Sequence, residues 1–281
     1  MSRLRLALPN KGRLMEPTIE LLRRAGLAFE RTERTLTVPV RNVPIDLLFV
    51  RTDDIVEMVA DGVAEAGIAG LDLLAESGIR LEVIAELGYG RCRLSAAVPK
   101  DSPIESLEQL DGLKVATAHP EVTTRTLAEK GITVGIVPLR GSVEVAPTLG
   151  LADAIVDLVS SGSTLLVNGL RPVATLLDSE AVLVAPSGAN GRVEQVSTML
   201  RAVVAGRRTR YVMMNAPRDA VPAVESLIPG LEAPSVIPLA HDGMVAIHSV
   251  IPADDLWHVL PELEAAGATG ILVLPVEQLI P

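Results

Sequence analysis

The stretch DAIVDLVSSGSTL, residues 153–165, runs from a strand pattern through a turn of small residues into a helix start. Its first seven residues are mostly Ala, Ile, Val and Leu, which favour a buried β-strand. Ser160 to Thr164 follow, and four of these five residues carry hydroxyl groups. A strand, a tight turn and a helix in this order are typical of α/β proteins.

The turn in this stretch has the composition of a phosphate site. Small residues let backbone N–H groups converge on an anion, and a following helix adds the positive end of its dipole. Asp153 and Asp157 are four residues apart on the predicted strand, so we expect both on one face. Carboxylates there can bind ribose hydroxyls or hold Mg²⁺ through water. An ordinary serine–glycine turn with solvated acids remains the alternative.

The rest of the chain extends the α/β pattern, because short apolar runs alternate with segments of helical period. They predict one lobe from residues 1–92 and 182–208, a second lobe from 93–181, and a cleft between the lobes. From Thr209 the order strand, helix, strand, strand, helix, strand predicts a ferredoxin-like domain over 209–281.

Composition excludes several function classes. The chain has 281 residues, and its net charge of −10 argues against nucleic-acid and anionic-membrane partners. The single Cys92 cannot form an intrachain disulfide, which fits a reducing compartment. The apolar run Leu6–Pro9 is too short for an export signal, and no apolar run has the length of a membrane span. We therefore predict a cytoplasmic protein.

Further candidate site residues follow the predicted strands of the first lobe. Lys11, Gly12 and Arg13 follow the first strand, Arg51 ends a later one, and Asp72 follows AGIAG. Ligands of open α/β sheets bind at the carboxyl ends of strands, so Lys11 and Arg13 could contact phosphates, and the Asp72 carboxylate could bond an exocyclic amine or a hydroxyl. A solvated basic turn and a simple helix-start aspartate are the alternatives.

Several common catalytic motifs are absent from the sequence. There is no GxSxG, no GxxxxGK[ST] and no GxGxxG, which removes the usual hydrolase, P-loop and dinucleotide-binding interpretations. His241, His248 and His258 lack the spacing of a metal site.

Four segments together resemble ATP phosphoribosyltransferase of the long form, the first enzyme of histidine biosynthesis. They are LALPNKGRL, AGIAGLDLL, GYGRCRLSAAVP and, most specifically, DAIVDLVSSGSTLLVNGL. The resemblance implies two lobes like those of periplasmic binding proteins and a C-terminal regulatory, ACT-like domain. It also implies that N1 of the ATP adenine is joined to C1 of phosphoribosyl pyrophosphate with Mg²⁺, releasing pyrophosphate.

The resemblance also implies roles for individual residues. The catalytic residues would be Lys11, Arg51 and Asp157, and Asp153 and Asp157 would serve the metal, directly or through water. ATP would contact Lys11, Gly12, Arg13, Arg51 and Asp72. Phosphoribosyl pyrophosphate would contact Asp153, Asp157, Leu158, Val159, Ser160, Ser161, Gly162, Ser163 and Thr164.

The small domain of this family binds histidine as a feedback inhibitor in a dimer or hexamer. Here the inhibitor site would comprise Asn215, Leu231, Ala233, Ser235 and Gly270. Relatives often have Asp in place of Asn215 and Ser in place of Ala233, which implies altered histidine sensitivity. In the second lobe His119 stands where the family commonly has Tyr, and Glu121 where it often has Asn.

Two other function classes fit parts of the pattern. A non-enzymatic solute-binding protein shares the two-lobed architecture, but the phosphate turn and the missing export signal argue against it. A ligand-sensing regulatory module would explain the small domain, yet no basic helix-turn-helix segment is present.

Overall fold

A computed structural model describes residues 3–32, 35–228 and 230–280. The chain forms two compact units, Met1–Glu20 with Leu27–Glu194, and Leu21–Gly26 with Gln195–Pro281. The helices are α1 Met15–Arg24, α2 Ile55–Ala60, α3 Leu71–Ser77, α4 Pro120–Ala128, α5 Ser163–Val167, α6 Gly191–Arg207, α7 Val221–Leu227 and α8 Leu256–Ala265. Among the described residues, no helix is both long and apolar enough to cross a membrane.

The strands form three separate sheets. Their bounds are β1 Leu4–Pro9, β2 Thr37–Pro39, β3 Ile45–Val50, β4 Ala66–Gly70, β5 Glu82–Glu86, β6 Cys92–Pro99, β7 Lys114–Thr117, β8 Gly135–Pro138, β9 Ala154–Val159, β10 Leu170–Ser179, β11 Ala181–Ala185, β12 Thr209–Pro217, β13 Ser235–Pro238, β14 Met244–Pro252 and β15 Thr269–Pro275.

The first lobe is built on a sheet of order β2-β3-β1-β4-β11-β5. Strand β1 runs parallel to both β3 and β4, so the carboxyl ends of these three strands share one edge. Strand β4, AGIAG, is buried at every position. Burial on both faces explains why this strand is a continuous apolar run rather than an alternating one.

The second lobe is built on a sheet of order β10-β6-β9-β7-β8. Strands β7 and β9 are parallel, which places their carboxyl ends at one edge. The chain passes between the two lobes twice, after β5 and after β10. These two connections are hydrogen-bonded to each other, because Leu87 N donates to Ala181 O and Ala181 N donates to Tyr89 O. The predicted α/β class with two lobes is confirmed.

Strand β10 is the element that sequence reasoning missed. It has ten residues, of which eight pair with β6, and its register shifts between Pro172 and Ala174 and again between Thr175 and Leu177. Each irregularity interrupts the alternation of inward and outward side chains. The segment also contains Arg171, Pro172 and Asp178, so it lacks the uninterrupted apolar run by which the other strands were recognised.

The C-terminal unit contains the antiparallel sheet β13-β14-β12-β15, in the predicted βαββαβ order. This unit begins before the predicted boundary at Thr209, because it includes most of α6. Leu279 N donates to Ala202 O at 2.8 Å, and a Cβ on Gly206 would lie 2.8 Å from Val276 O. The chain end thus packs on α6. Gln278 Nε2 also donates to Arg24 O at 2.5 Å.

Candidate active site

The small-residue turn lies between β9 and α5, as predicted. Gly162 has φ +78°, a backbone conformation that glycine adopts without steric cost. Leu166 N donates to Gly162 O, and the hydroxyls of Ser161 and Ser163 are 2.9 Å apart. A cavity of about 120 Å³ opens here. Its lining includes Glu144, Asp157, Leu158, Val159, Ser160, Ser161, Gly162 and Thr164.

Asp157 is a half-buried acid at this cavity. Its Oδ1 accepts a hydrogen bond from Leu158 N at 2.8 Å. Burial raises the pKa of Asp157 above its ordinary value and Glu144 adds to the rise, whereas the Leu158 N–H and the charge of His119 oppose it. The fold thus keeps the Asp157 carboxyl group partly buried at the turn, although burial disfavours its charged form. Such placement is common at functional sites.

Asp153 lies away from the turn. It precedes β9, and its Oδ2 accepts a hydrogen bond from Lys114 N at 2.9 Å. Asp157 is four positions further along the chain, about 13 Å away at 3.3 Å per residue of strand. The structure thus does not bring Asp153 and Asp157 together. Within the described ranges, no group of three or more His, Cys, Asp or Glu side chains is arranged to hold a metal ion.

The predicted nucleotide residues lie at the shared carboxyl edge of β1, β3 and β4. Lys11 and Gly12 are exposed in the turn after β1. Arg51 follows β3, is exposed, and has its Nη2 3.8 Å from Asp53 Oδ2. Arg13 donates to Gly90 O at 3.1 Å, which ties this turn to the first connection between the lobes.

Asp72, which follows β4, is a buried carboxylate with several polar neighbours. Ser179 Oγ donates to its Oδ1 at 2.5 Å, and Arg13 Nη2 lies 3.8 Å from the same oxygen. Burial alone raises the pKa of Asp72, but the contacts with His119 and Ser179 and the charge of Arg13 outweigh it. The net pKa lies below its usual value, so Asp72 is ionised at neutral pH.

His119 extends this cluster into the second lobe. It precedes α4, and its Nε2 lies 3.6 Å from Asp72 Oδ2. That distance is an electrostatic contact rather than a direct hydrogen bond. His119 itself is buried. Sequence reasoning had noted this residue only as a departure from the family pattern.

Helices α3 and α4 also meet through the main chain. Glu76 on α3 accepts hydrogen bonds from the N–H groups of Glu121 and Val122 at 3.0 and 2.9 Å. Arg125 on α4 donates to Ala75 O at 2.7 Å. Glu76 on α3 of the first lobe thus caps the N-terminus of α4, which belongs to the second lobe. Nothing in the sequence pairs these residues, so their contact could not be predicted.

Two arginines line a second cavity of about 570 Å³. They are Arg91 and Arg93, and the same cavity contacts Ser160 beside the turn and Ser179 beside Asp72. Arg31, a further residue that was missed, stacks over the Phe49 ring at 4.3 Å. It also donates to Asn10 O at 3.2 Å and so supports the turn after β1.

The predicted histidine site is only partly assembled in the C-terminal unit. A Cβ on Gly270 would lie 3.7 Å from Asn215 Nδ2, so these two residues are neighbours. Ser235 is on β13 opposite His248, whose Nδ1 is 2.6 Å from the Tyr211 hydroxyl. Strand β14 separates β13 from the strand that carries Asn215. Leu231 and Ala233 precede β13, and Leu231 is exposed.

Family models match both parts of the chain. The HisG model, described as ATP phosphoribosyltransferase, matches residues 51–204, and the model of the HisG C-terminal domain matches residues 206–278. The chain belongs to the ATP phosphoribosyltransferase family. The second match adds that it carries the C-terminal domain of that family.

Relatives and a solved structure agree with this assignment. A Cytophaga hutchinsonii protein named ATP phosphoribosyltransferase is 41% identical over 99% of this chain and 98% of its own. One of the same name from Gemmatimonas aurantiaca is 45% identical, over 99% and 100%. The ATP phosphoribosyl transferase (HisG:HisZ) complex from Thermotoga maritima gives a TM-score of 0.62 at 32% identity, covering 72% of this chain and 98% of that one. The predicted enzyme class, a pentosyltransferase of histidine biosynthesis, is confirmed.

Proposed function

We propose that the chain transfers the phosphoribosyl group of phosphoribosyl pyrophosphate to N1 of the adenine of ATP, releases pyrophosphate, and thereby begins histidine biosynthesis. The observation that carries this proposal is the turn at Gly162. A strand end, a left-handed glycine and a helix start enclose a cavity of about 120 Å³ with hydroxyls on its wall. That volume suits a phosphate group.

In this proposal the turn binds the sugar phosphate. Backbone N–H groups and hydroxyls of Ser160, Ser161, Gly162, Ser163 and Thr164 hold the 5′-phosphate. Leu158 and Val159 form the wall beneath it, and the Asp157 carboxylate accepts hydrogen bonds from ribose hydroxyls. Asp153 is left out of the site, because it lies at the other end of β9.

The first lobe binds the nucleotide and the leaving group. Lys11, Arg13 and Arg51 carry positive charge at the carboxyl edge of its sheet, where Gly12 lets the chain turn beside Asp72. The N1 lone pair forms the bond to C1 while the C1–O bond electrons leave with pyrophosphate. Aligning the two substrates and neutralising the leaving charge suffice for this reaction, so no protein nucleophile is required.

The family's chemistry is generally metal-dependent, and we propose Mg²⁺ as the metal. Mg²⁺ prefers substrate phosphates and few carboxylates to an all-protein cage, which fits a single half-buried acid at the turn. Bound with pyrophosphate, it would neutralise charge on the leaving group. Asp157 would hold it, directly or through water.

We also propose the finer family properties for this chain: a homo-oligomer in the cytoplasm, inhibited by histidine at its C-terminal domain. The adjacency of Asn215 and Gly270 supports a ligand contact there. The neutral Asn215 offers no charge to a ligand ammonium, so we expect weak inhibition.

The decisive experiment is a spectroscopic assay of the purified chain. ATP, phosphoribosyl pyrophosphate and Mg²⁺ together should generate the absorbance of an N1-substituted adenine, and omission of any one should abolish it. A non-enzymatic solute-binding protein would bind one of these compounds and leave the spectrum unchanged. An unchanged spectrum with both substrates demonstrably bound would refute the transferase proposal.

A further inference from the structure

One buried nitrogen of the cluster between the lobes lacks a hydrogen-bond partner among the residues that the structure describes. Nδ1 of His119 is closed off from solvent, and no hydrogen-bond partner for it is found in residues 3–32, 35–228 and 230–280. His119 is only 7% exposed. A buried polar atom without a partner is rare, and leaving it so costs about 1–3 kcal/mol.

The other ring nitrogen determines what Nδ1 can do. Nε2 lies 3.6 Å from Asp72 Oδ2, and Asp72 is ionised at neutral pH. A carboxylate favours a proton on the nitrogen that faces it, so the neutral ring carries its proton on Nε2. Nδ1 then presents a lone pair and accepts a hydrogen bond.

The position of the ring relates it to both halves of the reaction. His119 follows β7, whose carboxyl end shares an edge with that of β9, the strand leading to the phosphate turn. Its Nε2 contacts Asp72 on the nucleotide side. The imidazole thus lies at the edge of the second-lobe sheet from which the phosphate turn also extends, and it contacts the first lobe.

We infer that Nδ1 of His119 accepts a hydrogen bond from the exocyclic amino group of the ATP adenine, and that His119 thereby selects a 6-aminopurine. This inference rests on the proposed function. Nδ1 is covered in this structure, so entry of the adenine would require the residues around the ring to move apart. The amino group would then supply the missing partner.

The chemistry of the transfer strengthens this bond as the reaction proceeds. When N1 bonds to C1, the adenine gains a positive charge, which it shares with the exocyclic nitrogen. The N–H groups on that nitrogen become stronger donors. An imidazole lone pair backed by an ionised carboxylate therefore stabilises the transition state more than the bound substrate. No proton needs to leave during this step.

Two substitutions separate the two ring nitrogens. In His119→Gln the side-chain amide reaches the position of Nε2, which keeps a donor near Asp72 but removes the acceptor at Nδ1. In His119→Asn the amide takes the position of Nδ1 instead. His258→Gln is the matched control, since His258 is an exposed histidine on α8. Circular dichroism melting curves establish that each variant is folded.

The measurement compares kcat/KM for ATP and for the triphosphate of purine riboside, which keeps N1 but lacks the amino group. The ratio cancels general effects of each substitution, as in a double-mutant cycle. We expect His119→Gln to reduce the preference for ATP about tenfold, the effect of one hydrogen bond. We expect His119→Asn and His258→Gln to retain it.

The possible outcomes are distinct. An unreactive wild-type chain contradicts the proposed function itself. An active wild type whose preference for ATP survives in His119→Gln overturns the inference about His119 alone. Equal loss of preference in His119→Gln and His119→Asn also overturns it, since the ring would then act only through packing.

A second measurement needs no substitution. In ¹⁵N-histidine-labelled protein the Nδ1 resonance of His119 should shift on binding ATP and stay in place with the triphosphate of purine riboside. An identical response to both ligands would reject the hydrogen bond.

Discussion

Ser179 and Asp72 form a reciprocal pair of hydrogen bonds across 107 positions of sequence. The Ser179 hydroxyl donates to Asp72 Oδ1 at 2.5 Å, and the backbone N–H of Asp72 donates to the same hydroxyl at 3.0 Å. Both residues are buried. The end of β10 thus holds the start of α3 in place.

Replacing Ser179 with Ala should destabilise the protein and raise the pKa of Asp72. The carboxylate loses a donor that stabilises its charged form, and a buried N–H loses its acceptor, a loss of about 1–3 kcal/mol. Thermal unfolding and ¹³C NMR titration of the carboxyl measure the two effects. Ser226→Ala is the control, because that exposed hydroxyl donates to Ala223 O within its own helix. Equal stability losses in the two variants would contradict this prediction.

Gly70→Ala should displace the Asp72 carboxylate while leaving the fold intact. Gly70 has φ −77°, which alanine adopts readily, but a Cβ there would collide with Asp72 Oδ1. We expect kcat/KM for ATP to fall roughly 10- to 100-fold, as for other small misplacements. Gly141→Ala is the control, since a Cβ at Gly141 meets nothing within 4 Å. Unchanged kcat/KM for ATP in Gly70→Ala would mean that Asp72 contributes neither to ATP binding nor to its turnover.

Gly162→Val should abolish binding of the sugar phosphate. Space is available, because a Cβ would meet only Val159 Cγ1 at 3.9 Å, but a β-branched residue does not tolerate φ +78°. The turn must then change conformation, which would displace the N–H groups that we propose bind the phosphate. Isothermal titration with phosphoribosyl pyrophosphate measures the loss, which we expect to exceed about 100-fold. Gly169→Val imposes similar strain at φ +68° beyond the helix, so it should retain binding.

Asp157→Asn should lower activity and raise stability at neutral pH. The pKa of Asp157 is raised in the folded protein. Above the usual carboxyl pKa the unfolded chain therefore binds fewer protons than the folded one. As a result, the free energy of unfolding falls as pH rises through the folded pKa. Asparagine does not titrate, so the variant avoids this loss. We expect its free energy of unfolding at neutral pH to be about 0.5–2 kcal/mol higher than that of the wild type. Chemical unfolding should show the gain at pH 7 and its disappearance in acid. A pH-independent difference would contradict the burial argument.

Asp153→Asn provides the control for the preceding comparison. Asp153 is exposed and lies at the opposite end of β9, so its substitution should leave turnover nearly unchanged. Loss of turnover in a folded Asp153→Asn variant would show that Asp153 does contribute to the active site.

Asn215→Asp should strengthen inhibition by histidine. A carboxylate beside Gly270 would pair with the ligand ammonium, and we expect the half-inhibiting concentration to fall about tenfold. Ala223→Glu adds a charge on an exposed position of the same domain and should have no such effect. If both variants respond alike, the inhibitor does not contact residue 215.

The parts of the fold that could be predicted are those with a local signal. Strand β9 and the turn at Gly162 are contiguous, and their residue types specify both a strand and an anion site. Strand β10 was missed because Arg171, Pro172 and Asp178 interrupt its apolar residues and register shifts interrupt its alternation. A single sequence gives no indication of such irregularities.

The site was predictable only as two separate halves. Arg51 and Asp72 follow recognisable strands, so their shared edge could be inferred from the α/β pattern. The contact between Asp72 and His119 joins two helices that no spacing rule relates. The role of His119 emerged only from its burial and from the empty hydrogen-bonding position on its ring.

The bond from Gln278 to Arg24 also bears on how the chain folds during synthesis. Its two partners are 254 positions apart. Ribosomes add about 5–20 residues per second, so the segment at residues 21–26 emerges many seconds before its partner. Leu21 and Leu22 are buried in the folded protein. During that interval they cannot pack, because residues 195–281 of the same unit have not yet been synthesised. The nascent chain therefore exposes an apolar segment early in synthesis, and we expect a chaperone to bind this segment until the rest of the unit is complete.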